Sequence, residues 1–267
     1  MPHPQTRAAL VTGSTDGIGR TTALPLARAG MFVVVTGRDE KRGEETCQAI
    51  RDAEGSAALV LADLLDADAV RDLAEAATVA AGGHIDVLVN NAAVPYYAPT
   101  AQTPAEDFDS VMAVNVRAPF LLTGALAPAM ARRKHGVIVN ITGTAAQLGV
   151  PGLSLFGATK AALSSMTRTW ATEYGRHGVR VNALDLGAIR TPRADEVAHD
   201  VLEAYGAAIP AGRPGEPEEV AEVVAFLASP AAAYIQGAVL PVDGSMLVTS
   251  PTAPPPDELP APGPATR

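Results

Sequence analysis

Short runs of β-branched and aliphatic residues alternate with helical stretches from one end of this chain to the other, and few architectures satisfy that alternation. "AALVT" (8–12), "FVVVTG" (32–37), "AALVLAD" (57–63), "IDVLVNNA" (85–92), "GVIVNIT" (136–142) and "VRVNALD" (179–185) read as strands. Their apolar residues are nearly continuous, not alternating, so both faces are buried. Between them, 17–30, 40–54, 66–81, 104–132, 155–175 and 217–229 read as helices. Strands joined by helices of this length lie parallel in one sheet covered on both faces, which predicts a three-layer α/β/α architecture. With 267 residues there is enough chain for one such domain, and aromatic residues at 4% leave Ala, Val, Leu and Ile to build its core.

Beyond about residue 250 the pattern stops. "SPTAPPPDELPAPGPATR" is Pro- and Ala-rich, and the expectation is a domain over 1–249 followed by a disordered tail over 250–267. The net charge of −9 speaks against nucleic-acid or anionic-membrane partners. A single cysteine, Cys47, leaves no internal disulfide, as in a reducing compartment. No run of about eighteen apolar residues is present for a membrane span or leader. The expected setting is cytoplasmic.

The turn between the first strand and first helix, "TGSTDGIGR", places Gly13, Gly17 and Gly19 where a backbone must approach a pyrophosphate at a helix N-terminus. The spacing is G-x-x-x-G-x-G. The second strand ends "VVVTGRDEK": Gly37 and Arg38 stand where an NAD-preferring site usually carries an acid. A guanidinium there suits a 2′-phosphate, so NADP(H) is the expected cofactor, with NAD(H) not excluded. Asp16 and Asp39 are expected to oppose that phosphate.

These residues, with those downstream, resemble the short-chain dehydrogenase/reductase family over about 6–247. "TGSTDGIG" resembles its TGxxxGIG. "ADL" (62–64) is similar to its adenine-pocket motif, "NNAA" (90–93) to its NNAG with Ala93 for Gly, and "VNV" around Asn115 to its long-helix asparagine. Residues 212–245 are similar to its C-terminal stretch. The resemblance implies a doubly wound, parallel, seven-stranded Rossmann sheet. It implies cofactor contacts from Gly13, Ser14, Asp16, Gly17, Ile18, Gly19, Arg38, Asp63, Leu64, Asn90 and Lys160. It also implies a homo-tetramer or dimer through helices 104–132 and 155–175.

The family reduces carbonyls with Ser, Tyr, Lys and Asn. Here Lys160 and Asn115 are in place, but "FGATK" puts Phe156 at the tyrosine position and "NITGTAA" puts Gly143 at the serine position. "LDLGAIRTP" has Leu186 before Gly187, where the family commonly has Pro-Gly. Positioned acid catalysis is worth about 10²–10⁴ in rate, so ordinary ketone reduction is expected to be crippled while cofactor binding survives. Replacement groups are sought in Thr142, Thr144, Tyr96, Tyr97, Asp185, His199 and Tyr205. Each has a plainer structural role: strand end, loop, lid packing or, for Asp185, a cap on the following turn. Three readings remain: an atypical reductase of a small-molecule quinone, enone or iminium, as in secondary metabolism; a silent subunit paired with an active homologue; and a non-redox enzyme on the same fold.

Overall fold

The computed structural model describes residues 6–249, apart from the side chains of Val197 and Ala198; the Pro-rich tail expected over 250–267 lies outside the described residues. Seven strands form one parallel sheet. They are β1 (Ala8–Val11), β2 (Phe32–Gly37), β3 (Ser56–Leu61), β4 (Val87–Asn90), β5 (Gly136–Ile141), β6 (Val179–Leu186) and β7 (Val239–Val242). Their spatial order is β3-β2-β1-β4-β5-β6-β7, the doubly wound arrangement expected. The order reverses between β1 and β4, which pair in parallel at Ala9–Val87 through Val11–Val89. The crevice beyond their C-terminal ends is where such a sheet takes a ligand.

The helices are α1 (Gly17–Arg28), α2 (Glu40–Asp52), α3 (Ala67–Ala80), α4 (Ala105–Met112), α5 (Ala118–Arg133), α6 (Ser154–Gly175), α7 (Pro192–Ala207) and α8 (Pro217–Ala228). Two apolar clusters face opposite sides of the sheet. One gathers Ala23 and Leu26 of α1 with Val220, Val224 and Leu227 of α8. The other gathers Leu73 of α3, Leu122 and Leu126 of α5 and Leu163 of α6. Strands β1, β4 and β5 are wholly buried because both clusters cover them.

Three details depart from the sequence expectation. The predicted helix over 104–132 is interrupted by a π-helical turn, Ala113–Arg117, that carries Asn115. The stretch Ala105–Arg133 also has the length and composition to cross a membrane, counter to the expectation that no segment does. The difference lies in the criterion: its polar residues break any continuous apolar run, yet its average is apolar. More than half of the apolar window is buried inside the domain, as in a core helix. Finally, residues 192–207 form α7, which the apolar pattern did not announce. Its start is local all the same: Thr191 caps it by accepting from Ala194 N at 3.2 Å, and Pro192 opens it.

Candidate active site

A cleft of about 350 Å³ opens where the sheet order reverses. Its floor is the turn between β1 and α1. Gly13 (φ 65°) and Gly17 (φ 49°) adopt left-handed backbone there, and a Cβ on Gly13 would lie 3.0 Å from Ala92 Cα. Asn91 braces the turn from the end of β4, donating through Nδ2 to Thr12 O at 2.8 Å. Thr12 answers by accepting from Asn91 N at 2.9 Å and Ala92 N at 3.0 Å.

The expected cofactor residues divide into two groups. Gly13, Asp16, Gly17, Ile18, Arg38, Asp63 and Leu64 line the cleft. Ser14, Gly19, Asn90 and Lys160 do not. Ser14 is fully buried, donates to Val11 O at 2.7 Å and accepts from Thr36 N at 3.0 Å, so it staples β1 to β2. Gly19 lets α1 approach the turn: a Cβ there would sit 2.3 Å from Gly13 O. Asn90 points into the sheet and donates to Asn140 Oδ1 at 2.8 Å. The sequence reading passed over Asn91, Thr15, Thr191 and Arg193, which do line the cleft. Only the repeated Asn of "NNAA" and the Thr-Pro of "RTPR" hinted at them.

At the rim, Arg38 is exposed and has no carboxylate partner among the described residues. The acids expected to oppose a phosphate are engaged. Arg42 of α2 holds Asp16 at 3.0 Å and Asp39 at 3.5 Å. That tempers the expected repulsion, because both opposing charges are paired with Arg42. An acid at position 37 is disfavoured sterically, since a Cβ there would lie 2.6 Å from Thr15 Cγ2. On the opposite wall, Asp63 accepts from Leu65 N at 3.0 Å, which fixes its carboxylate at the cleft edge.

The cleft ends near Val94 and Val114. Here the π turn aims Asn115 across to the loop after β4. Its Oδ1 accepts from Val94 N at 2.8 Å; its Nδ2 donates to Val94 O at 3.1 Å and to Thr159 Oγ1 at 3.2 Å. Thr159 adjoins Lys160 on α6. Lys160 is 4% exposed, its Nζ donates to Ile141 O at 2.9 Å, and it lies 5.3 Å from the centre of the Phe156 ring. The shared helical face expected of residues 156 and 160 is therefore present. Burial pulls the ammonium down from its ordinary 10.5 to about 8, with the Asp185 charge opposing that fall in part.

Gly143 is extended (φ −177°), and a Cβ there would meet only Leu186 O, at 3.5 Å. Thr144 donates to Met246 Sδ at 3.6 Å, so the chain after β7 folds back over this turn. Asp185, fully buried, does not cap the turn after β6. It accepts from Thr142 Oγ1 and from Gln147 Nε2. The remaining candidates are occupied elsewhere. Tyr96 donates to Asp107 at 3.0 Å, and Tyr97 packs its largely exposed ring against Gly152. His199 and Tyr205 lie on exposed faces of α7, with His199 paired to Asp195 at 2.8 Å. Arg190 ties α7 to α8 by holding Asp195 and Glu216, each at 3.2 Å.

The arrangement is a glycine-floored cleft with an exposed arginine at its rim, and a buried lysine outside its lining. Residues 13–246 match the family profile described as enoyl-(acyl carrier protein) reductase. The 3-oxoacyl-[acyl-carrier-protein] reductase FabG of Thermotoga maritima is 36% identical over 245 residues, covering 91% of this chain and 98% of the relative. The gluconate 5-dehydrogenase of Gluconobacter oxydans is 38% identical over 257 residues, covering 93% of this chain and all of the relative. Among solved structures, a short chain dehydrogenase/reductase family protein is 46% identical with a TM-score of 0.82, covering 89% of this chain and 96% of its own. A candidate NAD(P) dependent gluconate 5-dehydrogenase from Beutenbergia cavernae, with NADP bound at low occupancy, is 36% identical with a TM-score of 0.86, covering 92% and 100%. The glycine turn, the buried lysine and these likenesses over nearly the whole length agree: the chain belongs to the short-chain dehydrogenase/reductase family of NAD(P)-binding oxidoreductases.

Proposed function

We propose that the protein is an atypical NADP(H)-dependent reductase that works without the Ser and Tyr of its family. Its substrate is a small molecule with a carbonyl, quinone, enone or iminium. The observation that carries this reading is a contrast between two positions. Arg38 lines the cleft, exposed and without a carboxylate partner among the described residues, suited to a 2′-phosphate; Lys160 is buried beside the phenyl ring of Phe156 where the family has a phenol.

The residues present fit a nicotinamide dinucleotide. The αL glycines leave the floor open to a pyrophosphate; Asp63, fixed at the cleft edge, would accept from the adenine amine, and Lys160 would hold the nicotinamide ribose. When bound, the cofactor supplies a hydride. The chain's own contribution is to orient that cofactor, with Lys160 as the clamp on its ribose. Phe156 and Gly143 donate no proton to a developing alkoxide. A conjugated acceptor, which spreads the negative charge over several atoms, is therefore a better substrate than an isolated ketone.

The test is a fluorescence titration with NADPH and NADH, repeated with Arg38→Ala. A charge-assisted hydrogen bond contributes about 1.5–3 kcal/mol, so NADPH affinity should fall about ten- to a hundredfold while NADH affinity holds. Absence of binding by either nucleotide sinks the reading. One observation also favours assembly with a second copy or a homologue: Phe108 and Phe120 on α4 and α5 are each about half exposed. A silent subunit would use the same surface, and would consume no NADPH with any acceptor.

A further inference from the structure

The proposed function leaves one buried charge without a task. Asp185 is 0% exposed at the C-terminal end of β6, and its carboxylate receives two neutral donors. Neither donor is bound to stay. Thr142 Oγ1 has a second acceptor in Leu184 O at 2.9 Å. Gln147 is an exposed residue on the turn after Gly143, and only its amide reaches inward. Lys160 feels the carboxylate, but its Nζ bonds the Ile141 carbonyl instead. Both reach the same strand end, one through the Ile141 carbonyl and the other through the Thr142 hydroxyl. Beside them Gly143 leaves its side-chain space open. A buried carboxylate that no cation contacts directly is costly, and this one lies behind the exposed side chain of Gln147.

We infer that Asp185 is the substrate-recognition residue of this site and that it takes a cationic nitrogen, so the reducible bond is the C=N of an iminium ion. The inference rests on the reductase reading. Carbonyl reduction leaves an alkoxide that needs a proton, and Phe156 and Gly143 have none to give. An iminium needs none. The hydride and its electron pair pass from the reduced nicotinamide to the iminium carbon, and the C=N π pair becomes a lone pair on nitrogen. The substrate becomes a neutral amine and the positive charge appears on the oxidised nicotinamide. The carboxylate holds the substrate in its cationic, reducible form, and Gln147 covers that carboxylate until the substrate displaces it.

The test uses the full chain loaded with NADP⁺ and calorimetric titration of two bicyclic compounds of similar shape, N-methyl-3,4-dihydroisoquinolinium and 1-tetralone. The cation should bind at least tenfold more tightly than the ketone. Asp185→Asn should remove that preference while NADPH affinity holds. Gln147→Ala, at an exposed position, should tighten the cation severalfold and leave the ketone unchanged. If Asp185→Asn fails to bind NADPH, Gln147→Ala decides. Equal binding of the two compounds, a preference that survives Asp185→Asn, no effect of Gln147→Ala, or no binding of either compound overturns the inference. Wild-type protein that binds no NADPH sinks the reductase reading itself, which is a different result.

Discussion

Lys160 is stored at a cost. Lowering an ammonium from 10.5 to about 8 corresponds to about 3 kcal/mol at most of lost stability when the charge is buried. Between these two values the unfolded chain keeps a proton that the folded protein has released, so stability rises with pH across that window. The penalty is complete below about pH 8. Lys160→Met should therefore stabilise the nucleotide-free protein by about 1–3 kcal/mol at pH 7. The gain should shrink toward pH 10.5, as read by urea denaturation at both ends. An unchanged gain at high pH would show that packing, not charge, is responsible. At the neighbouring positions, Gly143→Ser meets no strain, because the backbone is extended and the nearest atom to a new Cβ is 3.5 Å away. The double variant Gly143→Ser, Phe156→Tyr should raise reduction of a simple ketone by about 10²–10⁴ over the parent. No gain on a ketone that demonstrably binds would mean the pocket has diverged beyond these two positions.

At the scale of elements, the nucleotide turn depends on how closely α1 lies against β1 and β4. Gly19 sets that distance: a Cβ would stand 2.3 Å from Gly13 O and 2.5 Å from Asn91 Nδ2. Gly19→Ala should cost about 1–3 kcal/mol and weaken both nucleotides together, in contrast to Arg38→Ala, which should spare stability and weaken only NADPH. Denaturation and titration of the two variants side by side separate floor from rim. The π turn at Ala113–Arg117 works similarly, turning one residue of a core helix toward the loop after β4. The helix α7 is held beside the cleft by Arg190, which pairs with Asp195 of α7 and with Glu216, the residue that caps α8.

For the whole molecule, the half-exposed Phe120 lies 6.3 Å from the buried Trp170 between ring centres, so α5 and α6 share an apolar surface that the monomer leaves partly open. That face would serve the assembly proposed above. Phe120→Glu should shift a dimer or tetramer toward monomer in sedimentation while NADPH affinity stays within about twofold, since Phe120 is absent from the cleft. A wild-type protein that sediments as a monomer would remove that assignment.

The sequence by itself determined six strands of a parallel sheet covered on both faces, and the glycine turn. These follow from local signals: continuous apolar runs, helical stretches between them and short glycine spacings, each read within a few residues. The seventh strand, β7, is not among those runs, and only the family resemblance implied it and the doubly wound order. The sequence also placed Phe156 and Lys160 on one face, because four residues of helix fix that relation. What it could not apportion was the polar residues at strand ends. Asn90 and Asn91 are identical neighbours, yet one enters a buried ladder with Asn140 and Thr167 while the other braces the turn of Gly13. Ser14 sits in the motif but faces the core. Arg42 neutralises Asp16 from 26 residues away, and Gln147 reaches Asp185 from 38. Only the tertiary structure decided those pairings, because a side chain at the end of a parallel strand takes its partner from whichever crossover returns beside it.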